Sequence, residues 1–392
     1  LSRGAQDMAV INRIAGYAEE MAGWRRHIHM HPELALDCHE TAAFVAARLR
    51  EFGVDEIHEG IAQSGIVAII EGKGAGPCTG LRADMDALPM QEATGADWAS
   101  KVPGKMHACG HDGHTAMLLG AAKYLAETRN FSGRVALIFQ PAEEAIGGAR
   151  IMVEEGIMDR FGIEEVYALH TEPFAAAGEF RTTPGPIMAA VDEWTINVQG
   201  VGGHAAYPHS CRDPMITAMN IGQALQTISA RSADPIDPIV VSLTKFHGGT
   251  ASNIIPDEVV LEGTVRTFSQ TNRDLAERRI KQIAEGQAAA DGITAEVIYE
   301  RFYPATINHG EQVEKSAAVA REIVGEAHVV TDLAPEMGAE DFSYMLNARP
   351  GAFYFIGQGI GPSVHHPEFD FNDEIAPMGA SFFARLIETL HN

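Results

Sequence analysis

The sequence predicts an α/β protein carrying a second, inserted α+β domain. Three observations support this. Residues 135–139, 166–169 and 352–356 are short, continuous apolar runs, the form taken by strands buried on both faces. Helical patterns separate the strand-like runs, as in an α/β sheet. Near Pro184 the pattern changes to alternating strands and long amphipathic helices, and from Gln312 the apolar-run pattern of the N-terminal part returns.

A chain of 392 residues is too long for one small core, so two domains are expected. No apolar run approaches the roughly 20 residues of a membrane span. The first 35 residues carry acids and histidines and no apolar signal core, so a cytoplasmic protein is expected. The net charge of −24 repels phosphate backbones and anionic lipid, which speaks against nucleic-acid and membrane partners and suits cations. Cys38, Cys78, Cys109 and Cys211 are widely spaced and form no disulfide framework.

In chain order, residues 8–29 read as a helix with apolar residues at three- and four-residue steps. His27, His29 and His31 follow at alternate positions, and His27 and His31 have a spacing that suits either a metal pair or a helix end. A second helix spans 40–52 and stops at Gly53. Strands are expected at 65–70 and 79–83, joined through the glycine-rich 72–77 segment as a hairpin turn. A helix over 115–126 precedes the apolar run at 135–139. In the inserted region, strands are expected at 195–198, 239–246, 258–268 and 295–299. Helices are expected at 214–228 and 271–290, the latter capped by Thr271. Helices at 313–324 and 376–390 frame the run at 352–356.

Three apolar strands end in Asp84/Asp86, Glu143/Glu144 and His170. In open α/β sheets, ligands lie beyond the carboxyl ends of the strands. Residues 106–114 add three histidines, Cys109 and Asp112, with Gly110 and Gly113 allowing sharp bends. Cysteine and histidine together suit borderline transition metals. Cys109, His111, Glu144, His170 and one of His365 or His366 supply enough donors for two ions and a water whose pKa falls toward neutrality. Amide hydrolysis also needs a proton shuttle. Adjacent Glu143 and Glu144, pointing opposite ways on an extended chain, divide the work between metal and substrate. Asp84 or Asp86 would orient a ligand histidine. A competing chemistry makes Cys109 a covalent nucleophile with His111 or His114 as its base.

These motifs resemble a known family. Arg25-Arg26-His27, His31-Pro32-Glu33, the 81–89 stretch, the 107–114 cluster, Phe139-Gln140-Pro141-Ala142-Glu143-Glu144, Gly202-Gly203-His204-Ala205-Ala206, Ser252-Asn253-Ile254-Ile255-Pro256 and Asp370-Phe371-Asn372-Asp373 carry the likeness. The chain is similar to the dinuclear metal-dependent N-acyl-amino-acid amidohydrolases. These are the aminoacylases, hippurate hydrolases and plant auxin-conjugate hydrolases of the aminoacylase/carboxypeptidase metallopeptidases.

The resemblance implies a mixed, mainly parallel sheet in a discontinuous catalytic domain (1–184 and 298–392) and a lid/dimerisation domain at 185–297. It implies two divalent ions (Mn, Zn, Ni or Co) on Cys109, His111, Glu144, His170 and His365. Glu143 becomes the general base and acid, and Asp86 the orienter. His204 steadies the oxyanion, while Asn253 and Arg266 grip the substrate's carboxylate. The implied partner is a small N-acyl amino acid, and the implied assembly a homodimer or homotetramer. A dipeptidase, a carbamoylase and a non-catalytic metal-binding relative are alternatives on the same scaffold. Glu172 puts an acid close after His170, where relatives carry less charge.

Overall fold

The computed structural model describes residues 10–392. They form two compact units. One runs up to Ile187 and adds Ile307–Ala334 and Asp341–Asn392. The other comprises Met188–Thr306 and Pro335–Glu340.

The first unit is built on a mixed eight-stranded sheet, and the α/β expectation holds. Strands β1 (Glu56–Ile61), β2 (Gly65–Glu71), β3 (Cys78–Asp84), β4 (Arg134–Gln140) and β5 (Glu165–Glu172) lie in the order β1-β2-β4-β3-β5. Gly351–Gly357, Phe180–Arg181 and Val329–Val330 continue the sheet beyond β5. The four central strands β4, β3, β5 and Gly351–Gly357 run parallel, so their carboxyl ends share one edge. Alternate residues on each strand, such as Leu81 and Ala83, Leu137 and Phe139, Tyr167 and Leu169, join one hydrophobic cluster. Side chains from the helices Ala18–Met30, His39–Phe52, His111–Thr128, Gly310–Val324 and Ala376–Leu390 complete that cluster. The intervening residues, such as Arg82, Ile138 and Ala168, are buried on the opposite face, which explains the unbroken apolar runs.

Three local expectations change. The first helix is interrupted: Asn12–Ala15 and Ala18–Met30 are separate, and its expected start at Met8 lies outside the described residues. The 72–77 segment is not a hairpin turn, because β4 inserts between β2 and β3. Gly72 N–H instead donates to Gly133 O at 2.8 Å. A Cβ at Gly76 would lie 2.8 Å from Gly133 N, so the glycines serve a close chain crossing. The long helix of the second unit is capped by Ser269, whose hydroxyl accepts from Asn272 N–H at 3.1 Å, not by Thr271.

The second unit is a four-stranded antiparallel sheet in the order Ile239–Gly248, Glu258–Thr267, Ala190–Gln199, Thr294–Arg301. One face packs on the helices Pro214–Leu225 and Gln270–Ala290 through Trp194, Ile196, Ile221, Leu261 and Ile280. Among the described residues, no helix of either unit is long and apolar enough to cross a membrane.

Candidate metal centre

The parallel strands deliver their terminal residues to one place. Asp84 closes β3, with Asp86 just beyond it, and His170 lies near the end of β5. After β4, Ala142 adopts a left-handed conformation (φ 59°) and starts the turn that holds Glu143 and Glu144. The 106–114 segment reaches the same edge through Gly110 (φ 88°), the residue before the helix that begins at His111. His365 N–H donates to Ala108 O at 2.7 Å, tying the later loop to this segment.

All five expected ligands meet here. Cys109 Sγ is 3.4 Å from His170 Nε2, His111 Nε2 is 3.9 Å from Glu144 Oε1, and His365 Nε2 is 3.2 Å from the same oxygen. Donor atoms of Cys109, His111 and His170 lie within 4.8 Å of one another, as do those of Cys109, Glu144 and His365. Cys109 belongs to both sets. His366 is turned away, its Nδ1 accepting from Glu368 N–H at 3.1 Å.

Neighbouring groups fix the ring orientations. His170 Nδ1 donates to Thr171 O at 2.7 Å, which leaves its Nε2 lone pair facing Cys109. His114 Nε2 accepts from Thr171 N–H at 2.8 Å, so its Nδ1 carries the proton and donates to Asp84 Oδ1 at 2.6 Å. Asp86 accepts from the backbone N–H groups of Glu143 (3.0 Å) and Glu144 (3.1 Å) and lies 3.4 Å from His111 Nδ1. His107, Asp112 and His114 lie around the donors. Asp112 accepts from His29 Nδ1 at 2.8 Å and lies 3.8 Å from Arg25.

The donor set fits a metal. Both ring nitrogens of His111 are buried, with no hydrogen-bond partner among the described residues. Native interiors rarely leave such atoms unsatisfied. Burial alone would lower His111, but Asp84, Asp86 and Glu144 outweigh it and raise the ring to about 10, so the pocket draws in positive charge. Burial, helped by His114 and His111, holds His170 neutral, the form that binds a metal. Burial pushes Cys109 well up, and Glu144, Glu143 and Asp84 push it further. An attacking thiolate needs the opposite environment, which removes support from the covalent-nucleophile chemistry.

Glu143 and Glu144 do not point opposite ways. Carboxylate oxygens of both lie within 4.8 Å of each other and of His111 Nδ1 or Nε2. The alternation expected of an extended chain fails because the segment is a turn.

The peptidase family M20/M25/M40 matches residues 80–389. The chain belongs to that family. It is 39% identical to a hippurate hydrolase of Campylobacter jejuni, over 97% of this chain and 98% of the relative. It is 42% identical to an N-acetyl-L-cysteine deacetylase of Bacillus subtilis, over 93% of this chain and 86% of the relative. A crystal structure of a dinuclear-metal-binding M20 peptidase from Bacillus subtilis superposes with a TM-score of 0.85 at 33% identity. It covers 96% of this chain and 99% of that one.

Elsewhere in this M20 chain, the expected site residues are distributed unevenly. In the second unit, His204 and Asn253 are brought together: His204 pairs with Ile254, and Ala205 N–H donates to Asn253 O at 3.0 Å. Arg266 is not with them. It is half-buried near the far end of the Glu258–Thr267 strand, opposite Val191 and Val240. His31 Nδ1 donates to His27 O at 2.7 Å and His27 stacks on Phe44, which accounts for both at the helix end. Glu172 is buried, and its Oε1 accepts from Arg181 at 2.6 Å.

The sequence assigned no role to Arg82, Gln140 or Asp341, which form a buried network next to the Glu143–Glu144 turn. An arginine inside an apolar strand was the available signal, since a buried guanidinium requires carboxylate partners.

Proposed function

We propose that this M20 chain hydrolyses the amide bond of N-acyl amino acids, giving a carboxylate and a free amino acid. The names of its hippurate hydrolase and deacetylase relatives describe reactions of this class. The observation that carries the reading is the buried convergence of Cys109, His111, Glu144, His170 and His365, with Glu143 beside them.

In this reading those five residues hold two divalent ions, and the mixture of thiolate, imidazole and carboxylate suits Zn, Ni, Co or Mn. Bound ions supply Lewis acidity and acidify a water. Glu143 takes a proton from the attacking water and returns it to the leaving nitrogen. Asp86 holds the Glu143–Glu144 turn and the His111 ring in register. His204 steadies the developing oxyanion. Asn253, beside it, and Arg266, apart from both near the far end of the Glu258–Thr267 strand, are the candidate groups for the substrate's carboxylate.

In this reading the first unit is the catalytic domain and the second, Met188–Thr306 with Pro335–Glu340, the lid and dimerisation domain. The boundary expected at 297/298 shifts to Thr306 because the Thr294–Arg301 strand pairs along Ala190–Gln199. Ile239–Gly248, an outer strand of its sheet with exposed Val240 and Phe246, supports self-association into a dimer or tetramer. The four free cysteines suit a cytoplasmic protein.

Metal analysis combined with product release from N-acetyl, N-benzoyl and longer acyl amino acids tests the reading. Release of the amino acid, abolished by chelation and restored by metal, is expected. Bound metal without hydrolysis of any member of the panel points to a binding protein instead. Activity that survives complete metal removal points to the thiol.

A further inference from the structure

A buried network joins the two ends of the segment that carries Glu143 and Glu144, and its centre is the carboxylate of Asp341, within 4.8 Å of that of Glu143. Both Asp341 oxygens lie 2.8 Å from Gln140 Nε2. Oδ1 also accepts from Arg82 Nη2 at 3.1 Å, and Oδ2 from Ala149 N–H at 2.9 Å. Arg82 donates onward to Gln140 Oε1 at 2.8 Å and to Asp84 Oδ2 at 2.7 Å. Asp341, Arg82, Gln140 and Ala149 are buried.

Gln140 is the last residue of β4, and Ala149 stands at the start of the next helix. Between them runs the short segment that presents Glu143 and Glu144. Its ends are pressed together: Gly147 and Gly148 N–H donate to Ala142 O at 3.1 and 3.0 Å. A Cβ at Gly148 would lie 1.7 Å from Pro141 O. A single carboxylate thus fastens both ends of the turn. Through Arg82 it also reaches Asp84, which lies 3.8 Å from His111 Nε2. Asp341 is, besides, the first residue after the chain returns from Pro335–Glu340 of the second unit.

We infer that Asp341 is a positioning residue for the hydrolysis, fixing through Gln140 and Ala149 the turn that places Glu143 and Glu144. The inference rests on the proposed role of Glu143 as the proton carrier. Only a carboxylate serves here, because donors face both of its oxygens and it has no proton of its own to place. In Asp341→Asn the new NH2 group meets Gln140 Nε2 whichever way the amide turns, with Arg82 on one side and Ala149 N–H on the other. Adding Gln140→Glu reverses the polarity of the pair. The new carboxylate at 140 then accepts from the new amide at 341 and from Arg82 Nε, and the amide oxygen faces Ala149 N–H. Only the Arg82 Nη2 bond to residue 341 is lost, so the recovery is partial.

The test compares Asp341→Asn, Gln140→Glu and the double variant as metal-loaded enzymes, with kcat expressed per metal-loaded site. Displacing a catalytic group by about 1 Å costs on the order of 100-fold, so each single variant should lose about that much kcat while KM stays within about threefold. The double variant should recover about tenfold or more over Asp341→Asn, as coupled neighbours do. A merely structural role would lower the yield of folded protein and leave kcat per loaded site unchanged. Full kcat in a folded Asp341→Asn enzyme overturns the inference. If that variant does not fold, Gln140→Glu decides on the same criterion, and a double variant no better than the singles also overturns it. Glu143→Ala separates the two readings. If it is inactive while Asp341→Asn is fully active, only the positioning role is lost. If it is fully active, the assignment of Glu143 is lost and the positioning role with it.

Discussion

The Asp86 carboxylate accepts the backbone N–H of Glu143 at 3.0 Å, and its other oxygen accepts that of Glu144 at 3.1 Å. One buried side chain at the end of β3 therefore sets the turn beyond β4 and stands 3.4 Å from His111 Nδ1. Asp86→Asn keeps the volume but turns one acceptor into a donor against a backbone N–H. Metal affinity should fall roughly 10- to 100-fold, the usual cost of losing a partner that orients a ligand. Turnover should fall even at saturating metal, because the turn itself is released. Metal titration by calorimetry alongside kcat measurement checks both. Unchanged affinity with unchanged kcat would remove Asp86 from the site.

Glu143 and Glu144 share one turn, and substitution separates their roles. Glu143→Gln should keep its metal and lose about 100- to 10,000-fold in turnover, the range for removing a general acid–base group. Glu144→Gln should lose metal, because burial raises its carboxylate while His365 and His111 more than offset this, keeping it ionised for a cation. Metal content per folded chain, read beside kcat, distinguishes them. Metal loss in Glu143→Gln together with metal retention in Glu144→Gln would interchange the two roles.

Much of this site was legible because strand ends carry ligands. Asp84, Glu143 and His170 follow apolar runs, and parallel β4, β3 and β5 put those ends side by side. Strand order was not legible, since the insertion of β4 between β2 and β3 depends on pairing between distant segments. Nor was the direction of the two glutamates, which a left-handed Ala142 reverses without the glycine that usually marks such a bend. His365 and His366 are identical in type. A positive φ of 63° at His365 and its bond to Ala108 turn that ring, rather than its neighbour's, toward Glu144. Arg82 and Asp341 are 259 residues apart, so only the need of a buried arginine for a partner hinted at their bond.

The support beneath the 106–114 segment should show in stability against pH. Burial alone would lower His29, but the charge and hydrogen bond of Asp112 outweigh it and raise the ring to about 9. A base whose pKa is raised by folding stabilises the fold fully below its unfolded value, about 6.5. That contribution disappears as the pH climbs through about 9. His29→Gln should therefore lower Tm most below pH ~6.5, and the gap from the parent should narrow above pH ~9. Thermal melts of both proteins across that range check the sign. A gap that widens with pH would mean His29 is neutral in the fold.

Gly110 sets the direction of the donor segment. Its φ of 88° is one that side chains rarely adopt, and a Cβ there would lie 2.5 Å from Thr171 Cγ2. Thr171 cannot withdraw freely, because its N–H is held by His114 Nε2 at 2.8 Å and its hydroxyl donates to Gln358 Oε1 at 2.9 Å. Gly110→Ala thus combines left-handed strain of roughly 1–2 kcal/mol with overpacking of about 1–3 kcal/mol. Relief would push Cys109 away from His170 or tilt the start of the helix at His111, so metal affinity should fall together with stability. Urea unfolding and metal titration of Gly110→Ala test the two effects separately. Lost stability with unchanged affinity would show that the segment relaxes without moving its donors.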